Sequence, residues 1–226
     1  MNTFQFTSET LRLAVDEYIK DEVVGEQKYG HINTWDTSRV TTMISLFSGA
    51  ATFNQPLNNW DTSAVTNMAR MFQYAISFNQ PINSWDTSRV TNMICMFGGA
   101  NAFNQPLNNW NTSRVTNMHS MFAMAGVFNQ PIKNWNTSSV TDMGYMFEFA
   151  ESFNQSINDW DTAAVLNVVG MFRAATSFTQ TLELNTNAST NMITAFRGQH
   201  RSTGPGIKIA KKTPFLTHLF RWTNLC

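Results

Sequence analysis

Tryptophan stands at positions 35, 60, 85, 110, 135 and 160, and phenylalanine keeps the same interval of 25 residues at 47, 72, 97, 122, 147 and 172 and again at 53, 78, 103, 128, 153 and 178. Three aromatic columns in one register exclude an ordinary globular arrangement, because a fixed period of this length is the signature of a stacked array in which each unit completes its neighbour's core. Six full copies run from 29 to 178, and a degenerate seventh begins at Thr179, with Leu184 in the tryptophan position. Alanine repeats at 50, 75, 100, 125, 150 and 175, and a methionine column starting at Met43 lapses once, to Val168. The columns Trp35, Trp60, Trp85, Trp110, Trp135 and Trp160, with Phe72, Phe97, Phe122 and Phe147, read as structural core rather than as a cofactor site.

Within a copy the spacing changes character. Met68, Met71, Phe72, Ala75 and Phe78 follow a helical stripe, with Thr66 or Asn67 placed to cap it, and Asn79-Gln80-Pro81 stops it. The next few residues, such as Ile82 to Trp85, read as a short strand ended by turn formers, which predicts parallel strands near 57, 82, 107, 132 and 157. The expected fold class is therefore α/β, a leucine-rich-repeat-like solenoid with one short parallel strand and one short helix per copy. Residues 1–28 are expected to form a helical cap, with Ser8 as N-cap and Leu11, Ala14, Val15, Tyr18 and Ile19 on one face. Residues 29–196 would form the solenoid of six full repeats and one degenerate repeat, and 197–226 a basic tail or C-terminal cap in which Phe215, Leu216, Leu219, Phe220 and Trp222 supply the covering face.

The strings WDTSRVTNM and MFGGANAFNQPLNNW, with the lead-in LRLAVDEYI, resemble the BspA-type leucine-rich-repeat surface proteins, a group also described as a domain of unknown function built on W-D-T-S-x-V-T-N-M repeats. The resemblance covers residues 8 to about 196. It implies a solenoid credited with adhesion or protein binding, often at a cell surface, and without catalytic activity.

Searching the residues for chemistry leads the same way. The histidines at 31, 119, 200 and 218 occupy unrelated positions, and neither a phosphate-binding glycine loop nor a nucleophile elbow occurs, so no enzyme and no cofactor are expected. Cys95 and Cys226 are far apart and suggest neither a disulfide framework nor a metal cluster. The column Asp36, Asp61, Asp86, Asn111, Asn136 and Asp161 could hold calcium between copies or could accept backbone hydrogen bonds in the turn. Asparagine does the second job as well as aspartate and the first poorly, so the turn role is preferred and no metal is expected.

Formal net charge is zero, but residues 184–226 carry six bases and no acid, a segment that reads as a solvated tail or, less simply, as a contact for an anionic partner. No apolar run is long enough to span a membrane, and the start MNTFQFTSETLRLAVDEYIKD lacks the regions of a secretory signal, which makes an intracellular place the default expectation and a cell-surface one the implication of the resemblance. A core column does not recognise a ligand; two other faces could. One is the threonine row Thr37, Thr62, Thr87, Thr112, Thr137 and Thr162. The other is the set of positions that change from copy to copy, including Tyr74 and Ile76 in one copy and Tyr145, Phe149 and Glu151 in another. The expected function is a non-enzymatic, monomeric interaction or adhesion module for a protein or glycan, with no nucleic acid partner. The alternative is an adhesive array without one specific site, meeting an ordered polysaccharide-like or ice-like surface.

Overall fold

The computed structural model describes residues 4–180 together with 182 and 184. The seventh copy beyond Leu184, the basic tail and the covering face expected at Phe215 to Trp222 lie outside the described residues.

The chain opens with two helices, α1 (Ser8–Lys20) and α2 (Glu22–Tyr29). The N-cap of α1 is Thr7, not the expected Ser8. Thr7 and Thr10 satisfy each other's backbone amides in a capping box, with Thr10 N donating to Thr7 Oγ1 at 3.3 Å and Thr7 N to Thr10 Oγ1 at 2.9 Å. Ser8 is used elsewhere: its Oγ accepts the amides of Thr41 and Thr42 and so ties α1 to the first copy. Leu11, Ala14, Val15 and Tyr18 are buried, whereas Ile19, expected on the same face, is exposed. Asp21 caps α2, and the two helices meet so closely that a Cβ at Gly25 would lie 2.8 Å from the Tyr18 Cα. A parallel bridge from Gln5 to Asp36 and the edge-on contact of Tyr18 with Trp35, 5.7 Å between centroids, dock this segment on the first copy.

Within the described residues the copies contain neither the helix nor the strand expected of them. Among the described residues the only helical segments are α1, α2 and a 3₁₀ turn at Ile32–Thr34. Parallel pairing is confined to isolated bridges linking Thr42, Asn67, Asn92, Asn117, Asp142 and Asn167 in turn, not to the expected positions 57, 82, 107, 132 and 157, where Leu57 and Ile82 instead begin tight turns.

The reason is where the amides go. In a helix Phe72 N would donate to the carbonyl of residue 68. Here Met68, Arg70, Phe72 and Tyr74 donate forward to the carbonyls of Asn92, Ile94, Met96 and Gly98 in the next copy at 2.7–3.0 Å, and the amides between them, Met71, Gln73 and Ala75, donate back three residues. This alternation requires left-handed backbone at two positions per copy. One column is Ser45, Arg70, Cys95, Ser120, Tyr145 and Gly170; the other is Gly49, Tyr74, Gly99, Met124, Phe149 and Ala174. A succession of three-residue turns buries the same i, i+3, i+4, i+7 positions that a helix would, which is why the apolar stripe looks helical in the sequence.

Stacked copies share one continuous core. Phe72 and Phe97 lie 5.7 Å apart and nearly parallel, Phe78 and Phe103 6.0 Å apart, and Trp110 and Trp135 6.5 Å apart. Each buried tryptophan also finds a partner for its one polar atom. Trp85 Nε1 donates to the Leu57 carbonyl at 3.0 Å and Trp110 Nε1 to that of Ile82 at 3.1 Å, both in the preceding copy. The Asn-Gln-Pro corners pair likewise: Asn79 Oδ1 accepts from the Asn104 amide and from Gln105 Nε2, each at 3.0 Å. The aromatic columns, the tryptophan Nε1 groups and the Asn-Gln corners thus each make a contact one copy away.

Candidate functional site

The threonine row is not a surface. Thr37, Thr62, Thr87, Thr112, Thr137 and Thr162 are all buried, and the hydroxyls of Thr37, Thr62, Thr87, Thr112 and Thr137 donate to the carbonyls of residues 61, 86, 111, 136 and 161 in the next copy at 2.8–3.0 Å. A buried hydroxyl must be satisfied, and here its satisfaction is an inter-copy clamp. The row therefore cannot meet a ligand, which corrects its reading as a binding face. Its constancy over six copies was the available sign, since a position facing solvent tolerates change.

The Asp/Asn column beside it serves the turn. Asp61, Asp86, Asn111, Asn136 and Asp161 each accept, on Oδ1, the backbone amide two residues on, at 2.9–3.1 Å. Hydrogen bonds from the hydroxyl and amide of Ser38 and of Ser88 hold the carboxyls of Asp36 and Asp86 below their ordinary range. Among the described residues no group of three or more His, Cys, Asp and Glu side chains is placed to hold a metal ion.

The variable positions gather at one edge of the stack. Tyr74 reaches over the next copy, where glycine stands in the same column; a Cβ at Gly99 would lie 2.4 Å from the Tyr74 ring. Tyr145 does the same over Gly170, but it is half-buried, with the Arg173 guanidinium 5.7 Å from its ring centre and 5.6 Å from that of Phe149, while Arg173 also pairs with Glu148. Tyr145 is thus occupied and Tyr74 is open.

From Tyr74 to Phe149 an open groove of about 640 Å³ runs across four copies. Its lining includes Tyr74, Ile76, Met124, Val127 and Phe149, which leave 42–48% of their surface exposed. Gly126 forms a notch between them, with nothing within 4 Å of where a Cβ would stand. Glu151 supplies the lining's one carboxylate. Asn101, between Tyr74 and Met124 in the stack, lines the groove as well. Such a surface offers apolar contact and one negative charge; it presents no nucleophile–base pair. The His119–Asp142 pair, 3.2 Å apart, lies outside the lining and shares its carboxylate with Asn167. Met124, Gly126 and Val127 were not singled out from the sequence; the signal for them was their place in the same changing columns as Tyr74, Ile76 and Ser152 respectively.

A family model described as "Mycoplasma protein of unknown function, DUF285" matches the chain twice, over residues 19–126 and 105–205. No curated protein and no solved structure matches it. The two overlapping matches agree with a chain built of tandem repeats. No helix among the described residues is long and apolar enough to cross a membrane.

Proposed function

Because the chain belongs to the DUF285 family of Mycoplasma proteins of unknown function, we propose its function from its geometry: a non-enzymatic, monomeric interaction module of leucine-rich-repeat-like solenoid class, related to the BspA-type repeat proteins, that binds a protein through the Tyr74–Phe149 groove. In this reading α1 and α2 cap the stack and the clamped copies hold the groove residues in fixed places, so little ordering is left to be done on binding. The observation that carries it is the groove itself. Scattered exposed apolar side chains are ordinary, but Tyr74, Ile76, Met124, Val127 and Phe149 line one groove, and aromatic and methionine side chains are those that protein interfaces favour. An apolar trough suits a protein better than a glycan, whose hydroxyls need polar partners. Burial of the Thr37–Thr162 row takes those six residues out of any contact with a polysaccharide-like or ice-like surface.

Selection of a random peptide library against the immobilised chain tests this. The expected outcome is saturable one-to-one binding that weakens about tenfold, ~1.4 kcal/mol, on Met124→Ala or Phe149→Ala and does not change on Thr91→Ala. Peptides whose binding ignores both groove substitutions, or grows with the number of copies, would refute the groove as the site.

A further inference from the structure

The groove leaves Tyr74, Ile76, Met124, Val127 and Phe149 open to water, and the Glu151 carboxylate on its rim has no ionic partner among the described residues. The same chain carries, outside the described residues, a segment of matching chemistry. Residues 205–226 read PGIKIAKKTPFLTHLFRWTNLC, in which Phe215, Leu216, Leu219, Phe220 and Trp222 stand among Lys208, Lys211, Lys212 and Arg221 without one acid. We propose that this C-terminal segment occupies the Tyr74–Phe149 groove in the free protein, so that a partner must displace it. The proposal rests on the reading of the groove as a binding site and adds its regulation.

Three observations support this occupant over others. Its chemistry fits, because large apolar side chains are flanked by cations and the groove is an apolar trough with a single carboxylate. Its reach is sufficient. The described chain ends at Leu184, in the seventh copy, and the groove centres on Gly126 in the fourth. Three copies at a spacing of about 4.8 Å put these some 15 Å apart along the stack, while the residues between Leu184 and Phe215, extended, span many times that at ~3.3 Å each. Tethering does the rest. A segment tethered within reach of its site meets it at an effective concentration on the order of millimolar, so an affinity that would be negligible in trans keeps the groove mostly filled.

The test places a photo-reactive benzoylphenylalanine at Val127 in the full chain, irradiates dilute protein and identifies the joined peptides by mass spectrometry. Val127 lies in the lining and is exposed, so the replacement fits. The expected product is an intramolecular cross-link to a peptide within residues 213–226, several-fold more abundant than from the same probe at Leu166, which is exposed but outside the lining. Phe220→Ala with Trp222→Ala should reduce it several-fold, as should Glu151→Lys. The probe at Ile76 gives an independent second reading. Cross-links confined to residues 43–178, cross-links joining two chains, or equal yields from Val127 and Leu166 would each overturn the proposal. Cross-linking reports where the segment lies whether or not any partner binds. Its failure would leave the peptide-selection test of the groove intact, and a positive cross-link with no groove-dependent peptide would keep the segment in place while removing the partner-binding reading.

Discussion

Ala174 and Ala175 are neighbours of one residue type, and glycine should act on them in opposite directions. Ala174 is half-buried with φ at +56°, while Ala175 is fully buried and its amide donates back to the Phe172 carbonyl at 3.1 Å. A left-handed L-residue costs about 1–2 kcal/mol that glycine does not. Glycine in turn loses roughly 0.5–1 kcal/mol of backbone entropy on folding, so Ala174→Gly should stabilise by about 0.5–1 kcal/mol. At Ala175 there is no strain to relieve. The same entropy is lost, together with about 0.8 kcal/mol for one buried methyl, so Ala175→Gly should destabilise by about 1.5 kcal/mol. Urea unfolding of the two variants, followed by tryptophan fluorescence and compared through midpoints at constant slope, should separate them by about 2 kcal/mol. If this stretch were helical, both would be destabilised by about 1 kcal/mol. Equal losses at the two sites would therefore refute the alternation of left-handed turns and forward-donated amides on which the fold rests.

Thr112→Val keeps shape but removes the hydroxyl that donates to the Asn136 carbonyl, and should cost about 1–3 kcal/mol in urea unfolding; Thr116→Val, on the exposed row, should change stability by less than about 0.5 kcal/mol. Asp86, whose pKa is lowered chiefly by the Ser88 hydroxyl, contributes stability that is present above the ordinary aspartate pKa and is lost as pH falls from about 4 through its depressed folded value. In acid titration of unfolding midpoints Asp86→Asn should flatten that part of the profile and leave stability at neutral pH little changed, and calorimetry should detect no calcium binding that the substitution abolishes. Gly99→Ala should destabilise by more than about 1 kcal/mol, because its φ is +72° and the added methyl meets the Tyr74 ring. Adding Tyr74→Ala should recover only the steric part, and strict additivity of the two changes would contradict the contact.

How far the sequence reveals this architecture depends on what each residue type encodes. The columns of Trp, Phe, Met and Ala are legible because a side chain that packs on its own copy one layer away must keep its place, and those columns are the buried ones. The first helix is legible from its apolar face, although Thr7 and Ser8 are both good caps and only the pairing with Thr10 decides between them. The turns are not legible. Their apolar stripe has helical spacing, and what distinguishes them is a positive φ, held in nine of its places by residues such as Arg70, Cys95 and Phe149 rather than by glycine. Gly49, Gly99 and Gly170 are the faint trace of it. The buried threonines mislead because a polar residue in a regular row resembles a surface, and only the carbonyl opposite each hydroxyl shows otherwise. At the groove, variation between copies marks Tyr74, Ile76, Phe149 and Glu151, but the notch at Gly126 depends on what stands beside it in space.

The most direct measurement of the stacking itself is a nitrogen-edited nuclear Overhauser spectrum of the labelled chain, read at the amides of Met93, Cys95, Phe97 and Gly99, which donate to residues 117, 119, 121 and 123. Cross-peaks from these amides to protons of the copy that follows, with none of the regular i to i+4 contacts of a helix between residues 93 and 100, are the expected result. Helical contacts throughout that stretch, without cross-peaks to residues 117–124, would contradict it.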